Sequence, residues 1–361
     1  MAELGGPAHL VLAFAGAGEA LTPALLSQAR GLYPGAPLHG CTTAGEILGT
    51  EVSDDALALT AVRFEGTLVR TACARVSGPG DSHAAGERLG RELAGAGLVH
   101  VLVLSNWMGV SGSALVKGLS SSLPPGTTVT GGLAGDGGRF KESFVICDGV
   151  PERDTVVAIG LYGARLKVGC GSLGGWDPFG PERLVTRSEG STLYELDGKS
   201  ALDLYKSYLG DHARGLPGSG LLFPLTMRGG AGGSGVVRTI LGVNEERKSM
   251  TFAGDIPVGS IVRLMKANID PLIDGAVGAA RASCGTLGTS RSELALLISC
   301  VGRKMVLQQR VEEEVEGVSE VLGAATALTG FYSYGEICPF KTDTVCELHN
   351  QTMTITTLAE G

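Results

Sequence analysis

The chain has 361 residues, 43% of them apolar, 18% charged and 5% aromatic, with a net charge of −8 and a pI of about 5.4. That composition fits a folded chain with a sizeable core and argues against intrinsic disorder. The acidic balance and the lack of a basic stripe argue against nucleic acid and anionic lipid as partners. No apolar run is longer than a strand, and Met1-Ala-Glu-Leu-Gly-Gly has no signal-peptide pattern, so neither membrane insertion nor export is expected. The eight cysteines (41, 73, 147, 170, 284, 300, 338 and 346) stand singly, which predicts reduced thiols and a cytoplasmic location.

In chain order, His9 to Ala15 reads as a buried strand, and Thr22-Pro23 opens a helix with Thr22 as its N-cap. Strand-like runs follow at 57–64, 68–76, 156–162 and 236–243. Asp270-Pro271 opens a second helix that Gly285 is expected to stop. Leu307, Val311, Val315, Val318 and Leu322 trace one face of a third. The predicted fold is α/β, with mixed β-sheets layered with helices and built from repeated strand–helix–strand units. Gly-Leu-Pro-Gly-Ser-Gly at 215–220 is the best boundary, giving parts 1–214 and 221–361. The glycines at 229–235 read as a loop within the second part.

An internal repeat is the most informative feature. Leu10-Val-Leu-Ala leads to Gly40-Cys-Thr-Thr-Ala-Gly45-Glu46; Val101-Leu-Val-Leu leads to Thr130-Gly-Gly-Leu-Ala-Gly135-Asp136; Leu294-Ala-Leu-Leu leads to Gly330-Phe-Tyr-Ser-Tyr-Gly335-Glu336. Each copy ends in glycine plus an acid, so Glu46, Asp136 and Glu336 are expected in related positions. Glycine admits a ligand to the backbone, and the carboxylate can accept from a ligand amine. Equally, each acid can brace its own turn.

These blocks resemble a known family. Gly40 to Ile47 is similar to the signature turn of the FIST N region, Gly131 to Asp136 to its second glycine motif, and Tyr194 to Tyr205 to its closing segment. Gly254 to Ser260 and Gly330 to Ile337 resemble FIST C. The resemblance implies a sensory module for small molecules such as amino acids, working through a separate signalling partner, since neither an output domain nor an F-box is recognisable.

The expected ligand site lies where the glycine turns meet. It comprises Cys41, Thr42, Thr43, Gly45, Glu46, Asn106, Gly131, Gly132, Asp136, Tyr332, Tyr334 and Glu336, with Arg303 as a carboxylate donor and Trp176 as a lid. Glu46 or Glu336 would hold a ligand amine. No catalytic set, metal site or cofactor is expected. The rival readings are a Cys41 nucleophile beside His39, a haem-based gas sensor using one of six dispersed histidines, a hard cation held by the three acids, and a protein-interaction scaffold like the F-box-linked relatives.

Overall fold

The computed structural model describes residues 4–228, 235–288, 290–339 and 346–361. The repeat is real, and its three copies form a ring. The first copy is β1 (Leu10–Gly16), α1 (Pro23–Leu32), β2 (Leu38–Thr43), the short hairpin β3 (Glu46–Leu48) and β4 (Glu51–Ser53), and β5 (Leu57–Val62). The second is β6 (Leu68–Arg75), α2 (Ser82–Leu93), β7 (Leu98–Ser105), α3 (Gly112–Ser122), β8 (Thr128–Leu133), the hairpin β9 (Val145–Cys147) and β10 (Val150–Glu152), and β11 (Thr155–Tyr162).

The third copy opens with β12 (Leu166–Leu173) and is then interrupted. The interruption holds β13 (Asp177–Glu189), β14 (Thr192–Leu196), β15 (Lys199–Ser200), α4 (Ala201–Leu209), β16 (Leu225–Arg228), β17 (Val236–Arg238), β18 (Ile240–Asn244), β19 (Ser249–Phe252) and β20 (Ile261–Lys266). The copy resumes with α5 (Ile269–Leu287), β21 (Leu294–Cys300), α6 (Val301–Leu307), α7 (Val311–Leu322), β22 (Ala327–Ser333), the hairpin β23 (Glu336–Pro339) and β24 (Cys346–His349), and β25 (Met353–Glu360).

In each copy a central strand (β1, β7 or β21) lies parallel to the strand before the glycine turn (β2, β8 or β22) and antiparallel to the last strand (β5, β11 or β25). The short hairpin crosses to a neighbour's sheet. The orders are β10-β9-β2-β1-β5, β24-β23-β8-β7-β11-β6 and β4-β3-β22-β21-β25-β12. Hairpins therefore pass cyclically from copy one to sheet three, from two to one and from three to two. The N-terminal and C-terminal parts thus share sheets.

Glycine makes the parallel pairs fit. Gly40, Gly131 and Gly330 sit opposite Ala13, Val103 and Leu297. A Cβ on each would lie 1.7, 1.8 and 1.8 Å from the facing carbonyl oxygen, so no other residue is compatible with these strand spacings. Strand alternation then sorts the side chains. Leu102 and Leu104 face the ring axis, where they join Phe14, Ile159, Ile298 and Phe331; Val101 and Val103 face α2 and α3. The Phe14 and Phe331 rings, from sheets one and three, lie 4.7 Å apart. Each such fully buried side chain contributes about 1.5–3 kcal/mol of apolar transfer.

Several element limits differ from the sequence reading. The second helix continues past Gly285 to Leu287, because the left-handed stop is Gly288 (φ +67°). The third breaks after Leu307, where Gln308 takes φ +51°, so its apolar face is divided between α6 and α7. The run 236–243 is two strands separated at Thr239. Thr22 caps α1 as predicted, accepting from the Leu25 N–H at 3.3 Å.

The interruption forms its own unit around an eight-stranded sheet, with Tyr205 of α4, Leu193, Phe252 and Leu264 in its core. The 215–220 run lies inside this unit, between α4 and β16, and residues 229–234 lie outside the described residues. Where copy three carries the unit, copy two has only a short turn, 79–81, between β6 and α2. Among the described residues no helix is long and apolar enough to cross a membrane.

Candidate functional site

The three glycine turns do converge, but they knit to one another. Ala44 N–H donates to Tyr332 O and Tyr332 N–H to Gly45 O, both at 2.8 Å; Leu133 N–H donates to Gly335 O and Gly135 N–H to Thr42 O, also at 2.8 Å. Gly132 packs against Ile298 and Phe331, with no room for even a methyl group. The expected hollow at this point is a solid junction.

The acids brace it. Thr43 donates its hydroxyl to Glu46, whose other oxygen accepts from Ala56 N–H at 3.0 Å, just before β5. Ser333 and Thr352 treat Glu336 in the same way, at 2.7 and 3.1 Å, just before β25. Asp136 breaks the equivalence. It lies five residues after Gly131, where the other copies have Gly45 and Gly335. It accepts from the Phe140, Lys141 and Glu142 N–H groups and from the Tyr334 hydroxyl. Burial pushes the Glu46 carboxyl above its ordinary value and Glu336 up to about 7. Burial also acts upward on Asp136, but its hydrogen bonds outweigh this and hold it below the usual range. With its oxygens engaged separately, the trio forms no cation site.

Other expected ligand groups are also committed internally. Arg303 is fully buried. It pairs with Glu314, also fully buried, at 2.7 Å and donates to the Leu272 and Gly174 carbonyls, so it cannot receive a ligand carboxylate. Tyr332 donates to Glu314 at 2.7 Å. Trp176 is a staple and not a lid: its indole N–H donates to Gln351 O at 2.7 Å. Asn106 bonds Ser143 and Thr155 N–H. Thr42 both donates to and accepts from Phe144. Gly131 accommodates the facing strand. Cys41 lies in the axial core, and burial, with the Glu46 charge, pushes its thiol well above the ordinary value, which is the wrong direction for a nucleophile.

The cysteine expectation needs correction. Cys73 of β6 and Cys147 of β9 are disulfide-bonded, tying sheet two to sheet one. Sequence could not show this, because 74 residues separate them. A ring nitrogen of His39 lies within 4.8 Å of both sulfurs. His39 Nδ1 accepts from Asp148 N–H at 3.2 Å.

Two cavities flank the junction. One, of about 550 Å³, is polar and includes Thr43, Gly45, Glu46, Asp54, Arg139 and Lys304. Its cations are occupied: Arg139 donates to the Asp136 and Ala17 carbonyls, and Lys304 to Ala44 O and Asp54. The other, of about 610 Å³, lies between the ring and the inserted unit. From the ring come Trp107, Ser113, Phe140, Val301 and Tyr334; from the inserted unit come Thr239, Leu241, Phe252 and Asp255. Its aromatic wall has Phe140 stacked on Tyr334 at 4.4 Å and Trp107 edge-on to Tyr334 at 5.5 Å. Three buried polar atoms in the lining residues have no partner among the described residues: Trp107 Nε1, Ser113 Oγ and Thr239 Oγ1. Buried polar groups are normally satisfied, so this cavity differs from the first in having unmet hydrogen-bonding capacity. Of the expected residues, only Tyr334 borders it. Trp107 and Thr239 were missed; Trp107 follows directly on Asn106 at the end of β7, a rare aromatic at a strand end, which was the available signal.

Residues 9–199 match the FIST N domain and residues 201–339 the FIST C domain. An uncharacterized protein of Methanocaldococcus jannaschii is 27% identical over 205 residues, covering 53% of this chain and 38% of that protein, so the chain spans well under half the relative's length. A cyanuric acid hydrolase from A. caulinodans aligns over 81% of this chain and 99% of its own with 11% identity and a TM-score of 0.19, a likeness too slight to inform fold or chemistry. The two domain matches cover most of the sequence in order, and the chain belongs to the FIST family, whose domains are regarded as small-ligand sensors in signal transduction.

Proposed function

We propose that this chain senses a small metabolite bound in the 610 Å³ cavity between ring and inserted unit, and that it reports occupancy to a separate partner protein. The observation that carries the reading is one cavity walled by the ring on one side and the inserted unit on the other, with unpartnered polar atoms in lining residues of both. Its size falls within the range of small-molecule sites.

A sensor must also convert binding into a change of arrangement. The inserted unit joins the ring by two chain crossings, after β12 and before α5. It also touches the ring through polar contacts: Arg238 donates to Leu348 O at 2.9 Å, Thr239 N–H to Asn350 at 3.4 Å, and Gln351 to Leu221 O at 3.3 Å. Val237 and Met265 of the unit also pack on Leu272 and Leu307 of the ring, and a ligand touching both walls favours the arrangement that brings them together.

A thermal-shift screen of metabolites, including the amino acids and their uncharged derivatives, tests the proposal. At least one compound should raise the unfolding temperature in a concentration-dependent way, and hydrogen exchange at residues 174–176 and 267–268 should slow with it. No stabilisation by any compound near millimolar concentration would refute it.

A further inference from the structure

The cavity's lining also selects the chemical class of ligand. We infer that it is built for an uncharged, largely apolar molecule that offers a hydrogen-bond acceptor to Trp107 and a second polar group to Thr239, and not for a free carboxylate such as an unmodified amino acid. This rests on the cavity being the ligand site.

Three observations support it. First, no Lys, Arg or His is among the described residues that line the cavity, whose walls are mainly Leu133, Phe140, Leu241, Phe252, Val301 and Leu348. The buried cation behind the wall, Arg238, directs its guanidinium to the Asp255, Val237 and Leu348 carbonyls. A carboxylate entering here would lose its hydration without gaining a counter-ion. Among the described lining residues the one carboxylate, Asp255, is exposed and would repel it further.

Second, Trp107 Nε1, covered by protein and unpartnered among the described residues, is solely a donor, so a shift of its ring that opens it to the cavity leaves it seeking an acceptor. A carbonyl, ether or ring nitrogen meets that demand without bringing a charge. Third, Thr239 is only 5% exposed, and its hydroxyl is unpartnered at the break between β17 and β18. Trp107 and Ser113 belong to copy two of the ring, whereas Thr239 belongs to the inserted unit. One molecule satisfying both sides would bridge them.

The test uses four probes sharing a phenyl ring: phenylacetamide (uncharged), phenylacetate (anionic), phenethylamine (cationic) and phenylalanine (zwitterionic). The chain has two tryptophans, so a full-length sample labelled with 15N in tryptophan gives two indole N–H signals, assigned with the W107F variant. Trp176, already bonded to Gln351 O, is the internal control. Phenylacetamide at millimolar concentration, the range in which such fragments bind, should move the Trp107 signal and leave that of Trp176 in place. Phenylacetate and phenylalanine should bind at least ~10-fold more weakly. Saturation transfer to the phenylacetamide ring should fall in both W107F and T239V.

Equal or tighter binding of any charged probe overturns the inference while leaving the site intact. Unchanged phenylacetamide affinity in W107F and T239V overturns it too. If no probe moves the Trp107 signal, the cavity is not a ligand site, and the proposed function falls with the inference.

Discussion

Replacing Arg303 by methionine should destabilise the chain severely while leaving ligand uptake in surviving folded protein. In the native structure Arg303 and Glu314 are both fully buried. Arg303 meets Glu314 through Nε at 3.1 Å and a terminal nitrogen at 2.7 Å, and also holds the Leu272 and Gly174 carbonyls. Glu314 additionally accepts from Ser299 at 3.0 Å and from Tyr332 at 2.7 Å. Methionine fills much of the space but leaves two carbonyls without donors and a carboxylate facing only two hydroxyls. Removing one member of a buried pair costs about 3–5 kcal/mol, and each orphaned carbonyl adds about 1 kcal/mol or more. E314Q keeps acceptors for both hydroxyls, so the double variant should lose about 1–3 kcal/mol less than the sum of the single ones. Urea unfolding followed by circular dichroism measures these values, and saturation transfer to phenylacetamide reads uptake. If R303M unfolds within about 0.5 kcal/mol of the parent yet no longer takes up the probe, Arg303 is a ligand group and the assignment here is wrong.

Glu336 supplies a pH dependence. Its buried carboxyl titrates at about 7 in the folded chain, above its ordinary 4.5, so the folded state holds the extra proton between these values. Stability should therefore fall as pH rises through that window, by about 3 kcal/mol from this group. E336Q should flatten that part of the slope when unfolding near pH 5 and near pH 8 is compared; an unchanged slope contradicts the assignment. Opening the Cys73–Cys147 link with dithiothreitol, or replacing Cys73 by serine, should lower unfolding stability by up to about 4 kcal/mol, from the 74-residue separation it closes. C73S itself should be insensitive to reductant, and a remaining response would place the effect elsewhere. Gly40→Ala should prevent folding or cost more than about 4 kcal/mol, because its methyl would sit 1.7 Å from Ala13 O; Gly18→Ala, with open space around it, should stay within about 0.5 kcal/mol by the same urea assay.

The ring's strands were legible because buried strands written as Leu10-Val-Leu-Ala and Leu294-Ala-Leu-Leu repeat at matched distances from a glycine turn. The turns' convergence was legible too, but their chemistry was not. A Gly-acid pair looks alike whether the acid follows the strand glycine by five residues, as at Asp136, or by six, as at Glu46 and Glu336. That single step redirects the carboxylate from the last strand to the loop at 140–142. Arg303 looked available because its partner, Glu314, lies 11 residues on, within the acidic run Glu312-Glu313-Glu314 of the next helix. The main cavity was hidden for a different reason: its walls come from 107–113, 239–255, 300–302 and 348–350, and only the placement of the inserted unit brings these together.

The exchanged hairpins constrain how the chain is made. Strand β3, completed within the first fifty residues, finds its partner only when Phe331 to Thr329 has been synthesised. Until then the first copy presents an unpaired hairpin, and β8 likewise waits for β23. Pairing of such high contact order closes late and slowly, so on the ribosome the ring stays open until β22 and β23 have emerged. Severing the chain at the junction between its two domain matches would strand complementary edges on both fragments, leaving products that seek each other or aggregate.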